Sequence, residues 1–178
     1  MKGLILALLC LAAPVAAGPN LPEAAGDLQT ACFDRMAAID NLPAPTLGEL
    51  KESQALLKIW SLLGRYGGTL GKKDLALPVK ALALVGRATG EAGILSSADG
   101  LLAALFDGAD SAALDATIAR NALADPAAQA KVRKPMDKAL AILKAIDGSQ
   151  DRGAQAKLVA KAVAMYLKSE ALAKKLAG

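Results

Sequence analysis

Ala154 to Leu176 reads AQAKLVAKAVAMYLKSEALAKKL, the longest uninterrupted helical pattern in the chain. Wound at about 3.6 residues per turn, it places Lys157, Lys161, Lys168 and Lys175 in one narrow line. Leu158, Val159, Ala162, Val163, Tyr166, Leu167 and Ala173 fall on the broad opposite side. One face of this helix is therefore expected to bury and the other to carry charge.

Composition extends that reading to the whole chain. Nearly a quarter of the residues are Ala and only 3% are aromatic. Ala is the best helix former, whereas strands favour β-branched and aromatic side chains. No window alternates convincingly with period two, so the fold class is all-α, with about six to seven helices.

Upstream of the last helix, Asp125-Pro126 is an N-cap followed by proline at the first helical position. The helix it opens is expected to run to Ile146, with Val132, Met136, Ala139, Leu143 and Ile146 inward and a kink or split at Pro135. Earlier, a helix after Pro22 runs to about Asp40 and buries Leu28, Cys32, Met36 and Ile39. Asn41 to Pro45, NLPAP, is a linker that two prolines keep from being helical. Thr46 and Glu49 form a capping box for a second helix reaching about Tyr66. Its wet side carries Lys51, Gln54, Lys58 and Arg65, with Trp60 expected as a core anchor, and Gly67-Gly68 stop it. Asp74 is expected to cap a third helix, with Pro78 in its first turn, that ends by Gly90 to Gly93. Ser96 or Ser97 then caps a fourth that stops at Gly108, and Asp110 or Ser111 caps a fifth.

The first residues are a different matter. Met1 to Ala17, MKGLILALLCLAAPVAA, has one Lys, an apolar run and small residues before Gly18, the pattern of a secretory signal. The run is too short to span a bilayer. The expectation is an exported protein, periplasmic or extracellular, whose residues 18–178 form one helical domain without a transmembrane segment. Beyond the signal, Cys32 is the only cysteine, so an intrachain disulfide is ruled out.

Short segments echo one another. Lys80–Gly90 reads KALALVGRATG, Lys138–Gly148 reads KALAILKAIDG, and Ile59–Gly68, IWSLLGRYGG, shares the apolar body and glycine ending. Ser97–Gly108, SADGLLAALFDG, reads like the second helix of a pair. Over Leu57 to Ile146 the chain thus resembles HEAT-like helical repeats, in which Ala/Leu-rich helix pairs stack into a solenoid. The resemblance implies such a stack; the helix pattern by itself equally allows an irregular bundle.

Chemistry-bearing motifs are few. The chain has no histidine, which removes the commonest general base and most zinc sites. Gly67 to Lys73, GGTLGKK, fails as a phosphate loop: its first glycine is one residue too close and Lys73 stands where Ser or Thr should hold Mg²⁺. Asp107, Asp110 and Asp115 lack the spacing of a calcium loop. No catalytic, cofactor-binding or metal-ligating residue is therefore assigned. A carboxylate-based enzyme stays open as an alternative, because its two acids would meet only in space.

Charge points elsewhere. From Gly18 to Pro126 there are 9 basic and 13 acidic residues, and from Ala127 to Gly178 there are 11 basic and 4 acidic. Lys131, Lys134 and Lys138 line one helix, and Lys157, Lys161, Lys168 and Lys175 line the next. Side by side, they would make one positive surface for a protein partner or an anionic surface such as lipid, nucleic acid being disfavoured. The competing reading is that helices simply need a solvated face. The function expected is a non-catalytic helical binding or scaffolding protein; a membrane-surface binder using the last helix is a further alternative.

Overall fold

Leu21, Ala24, Ala25, Leu28, Cys32, Met36 and Ile39 recur at helical spacing and all turn inward. They belong to α1 (Leu21–Asp40), capped by Asn20, whose side chain accepts from the Glu23 amide at 2.9 Å. A computed structural model describes residues 20–148 and 150–178, and the signal-like segment Met1 to Ala17 lies outside them. The described residues form six helices and no strand: α1, α2 (Leu47–Leu63), α3 (Lys72–Ala88), α4 (Ala92–Asn121), α5 (Pro126–Lys144) and α6 (Arg152–Ala177). The chain is thus an all-α multi-helix bundle.

Local chemistry sets most of the boundaries. The Thr46–Glu49 capping box is complete, with Thr46 Oγ1 accepting from the Glu49 amide and Glu49 accepting from the Thr46 amide at 2.7 Å. Asp125 and Asp151 cap α5 and α6. Gly68, at φ 79°, takes the left-handed turn between α2 and α3 that a side chain would strain.

Several expectations change. The fourth and fifth helices are one, α4, thirty residues long and capped by Glu91 rather than by Ser96, Ser97, Asp110 or Ser111. Gly108 does not stop it; a Cβ there would meet Leu70 Cδ2 at 3.1 Å, so the glycine admits a leucine from the α2–α3 loop. Asp74 does not cap α3, which starts at Lys72; its carboxylate instead accepts from Thr69 Oγ1 at 2.5 Å. Pro78 consequently lies inside α3 and is buried there. Pro135 does not split α5. One turn from its ring, the buried Ser169 of α6 donates its hydroxyl to the Val132 carbonyl. Leu143 and Ile146 are only partly buried, and Ile146 lies beyond the end of α5 at Lys144.

The helices pack in two layers. In one, α2, α3, α6 and α5 lie side by side in that order; α1 and α4 pair in the other, α1 beneath α2 and α4 beneath α6. By length and hydropathy α4 alone among the described helices is apolar enough to cross a membrane, and here α1, α3, α5 and α6 pack against it. Trp60 is not a core anchor: it is 38% exposed, and Leu50 and Leu57 of the same helix are exposed too, because α2 is the last helix of its layer and no further described helix covers that edge.

Cys32 sits at 0% exposure in α1, and burial pushes its thiol pKa up to about 11. A buried neutral thiol is a poor nucleophile. Alkylation of the native protein at mildly alkaline pH should therefore leave Cys32 unmodified, as read by peptide mass mapping, with full modification after unfolding. Fast native labelling, or a dimer linked through Cys32, would contradict this placement.

Candidate functional site

All seven lysines singled out above are exposed: Lys131, Lys134 and Lys138 on α5, Lys157, Lys161, Lys168 and Lys175 on α6. Their placement follows from what the other sides of each helix touch. On α6, Gly153 packs against Ala83 of α3, Ser169 bonds to α5, and the fully buried Tyr166 lies near Asp110 of α4. The remaining side carries the lysine line and faces solvent. On α5, Met136 meets Thr117 of α4 and Val132 meets Ser169 of α6. Helical spacing then turns Lys131, Lys134 and Lys138 to the side away from α4. The two rows therefore share the outer face of the four-helix layer.

That face extends beyond the expected residues. On α3, the core side holds Leu75, Leu82 and Val85, and Val79 and Ala83 turn toward α6. Lys73, Lys80 and Arg87 come next around the helix and are exposed. On α2, Lys58 and the following Arg65 lie beside Leu84 of α3, with Lys51 two turns upstream. Every helix of the layer thus carries cations seven residues apart: Lys51 and Lys58, followed by Arg65 just past the end of α2; Lys73, Lys80 and Arg87; Lys131 and Lys138; Lys161, Lys168 and Lys175. Seven residues of helix rise about 10.5 Å. Neighbouring helix axes are typically about 8–10 Å apart. The eleven side chains are spread over the outer face of four adjacent helices, and none is in an ion pair among the described residues.

Acidic residues are segregated away from it. The helices α2, α3, α5 and α6 hold 17 basic and 5 acidic residues, while α1 and α4 hold 2 basic and 8 acidic. The charge boundary lies between layers, not at Pro126 along the chain. No family model, curated protein or solved structure matches this chain.

Two cavities bear on the alternatives. The larger, about 630 Å³, lies where α3, α4 and the start of α6 meet, and both Asp99 and Asp151 line it. Neither carboxylate is uncommitted. Asp99 is gripped by both arms of the Arg152 guanidinium, with Nη2 to Oδ2 at 2.8 Å, which holds its carboxyl below the usual range. Asp151 accepts the Ala154 amide at 2.9 Å as the cap of α6. The other cavity, about 400 Å³, is a groove between α3 and α6 with Leu75, Ala76, Val79 and Ala164 along it and Lys72, Lys157 and Lys161 at its rim. Among the described residues, no cluster of acidic and cysteine side chains has the makings of a metal site.

The alternative of membrane insertion by the last helix requires its apolar face to be open. Instead Val159, Ala162, Val163, Tyr166 and Ala173 are all at 0% exposure. That face is a structural seam, so any membrane role for α6 falls to its lysine side.

Proposed function

We propose that the protein is a non-catalytic helical binding or scaffolding protein that acts through the basic outer face of the α2–α3–α6–α5 layer. The observation that carries this reading is the set of unpaired cations on one face, with eight of the thirteen helical acids in the opposite layer. A face needed only for solubility is well served by mixed charge, and Glu–Lys pairs one turn apart would also stabilise its helices. Such one-turn pairs are rare here, Arg133–Asp137 and Lys174–Glu170, and neither involves any of these cations. The echoing segments on α2, α3 and α5 all lie in this one layer, and Lys80 and Lys138, which open two of them, are both among its cations. Export through the Met1–Ala17 segment remains part of the proposal.

The test is retention on immobilised heparin, a generic polyanion, with elution by salt. The parent should be retained at low salt, and Lys58→Glu/Lys80→Glu/Lys161→Glu/Lys168→Glu should flow through while keeping its thermal unfolding temperature. Flow-through of the parent, or equal elution of both, would remove the basis for the reading.

A further inference from the structure

We propose that the occupant of this face is the surface of an anionic lipid bilayer. The inference rests on the binding reading above and goes further in naming the partner. Three features of the face select a bilayer over other anions.

The first is dimensionality. The cations are spread over four adjacent helices, seven residues or about 10.5 Å apart along each helix, with helix axes typically about 8–10 Å apart. A linear polyanion, whichever way it crosses the rows, meets only part of them at a time. A plane of headgroups meets all of them. Nine of the eleven are Lys, a compact charge without the fixed fork of Arg, suited to headgroups that diffuse beneath it.

The second is the groove between α3 and α6. It opens among these cations, with an apolar lining and Lys72, Lys157 and Lys161 at its rim. A purely ionic polymer has nothing to place against Leu75, Ala76 and Val79. An anionic amphiphile has both parts, a headgroup for the lysines and an acyl segment for the groove.

The third is orientation. The opposing α1–α4 layer carries Glu23, Asp27, Asp34, Asp40, Asp99, Asp107, Asp110 and Asp115. Repulsion from a negative membrane turns that layer outward, so the charge separation between layers presents the basic face to the bilayer. The acidic layer is then left facing water.

Binding of this kind is electrostatic and cumulative, about fivefold in partition for each lysine near the surface. The experiment is co-sedimentation at low salt with vesicles of two parts phosphatidylcholine to one part phosphatidylglycerol, against pure phosphatidylcholine. The parent should pellet only with the anionic vesicles and be released by added salt. Lys58→Gln/Lys80→Gln/Lys161→Gln/Lys168→Gln should lose partition by several-hundred-fold, about fivefold for each of four lysines. All four side chains are exposed, so its far-UV circular dichroism should match the parent. A parent that binds heparin but not anionic vesicles overturns the bilayer proposal and leaves the binding reading standing. A parent that binds neither overturns both, and undiminished pelleting of the variant shows that these cations are not the membrane contact.

Discussion

Tyr166→Ala should lower the stability of the protein by about 3–5 kcal/mol, the range for removing a large buried side chain, while Tyr166→Phe should cost nothing. Tyr166 is among the largest of the completely buried side chains and sits on α6, the helix that α3, α4 and α5 all pack against. Truncation leaves a cavity at that junction. The hydroxyl is another matter: among the described residues it has no hydrogen-bond partner. Burial, with the Asp110 carboxylate nearby, raises its pKa and keeps it neutral. A buried hydroxyl without a partner costs about 1–3 kcal/mol of desolvation. Tyr166→Phe removes that cost together with the group and should be neutral or stabilising. Urea unfolding followed by circular dichroism measures both variants. A phenylalanine variant weaker than the parent by more than about 1 kcal/mol would mean that the hydroxyl does bond to something.

The second large effect concerns the seam between α3 and α6. Gly→Ala in the interior of a helix normally stabilises by about 0.5–1 kcal/mol. At Gly153 the sign should reverse. A Cβ there would lie 2.7 Å from the Ala83 Cα and 3.1 Å from its Cβ, so the clash is with backbone that cannot swing aside. Relief requires α3 and α6 to separate at the end where Arg152 grips Asp99. The expected cost of Gly153→Ala is about 1–3 kcal/mol, as for overpacking elsewhere. Gly100 is the control: it is inside α4 with nothing within 4 Å of its Cβ position. Gly100→Ala should raise the unfolding temperature where Gly153→Ala lowers it. Equal and positive shifts in both would show that the two helices do not approach so closely.

How much of this was legible beforehand depends on the range of the interaction. The Thr46–Glu49 box, the Asp125 cap and the inward row of α1 rest on residues within a turn or two of one another, and all appear as expected. Gly108 reads locally as a stop, but what offsets a glycine there, the Leu70 side chain, arrives from 38 residues away. Trp60 was misplaced because its fate depends on α2 being the edge of a layer, which no local pattern records. The candidate surface was half visible. The α5 and α6 lysines stand out because acids are scarce near them. Lys51, Lys58, Lys73, Lys80 and Arg87 are diluted along the chain by the acids of α1 and α4. Only packing puts α2 and α3 into the same layer as α6 and α5 and sends those acids to the other one. The heptad recurrence of cations on each helix was the available signal.

The central claim is that these four helices present one electrostatic surface rather than two lysine-bearing C-terminal helices. The most direct measurement compares the dissociation constant for soluble heparin at low salt in Lys58→Gln/Lys80→Gln and in Lys161→Gln/Lys168→Gln. A single surface predicts that both pairs weaken binding by a similar factor, although the first pair lies wholly in the acidic half of the sequence. Weakening by the α6 pair alone, with the α2–α3 pair indistinguishable from the parent, would contradict it.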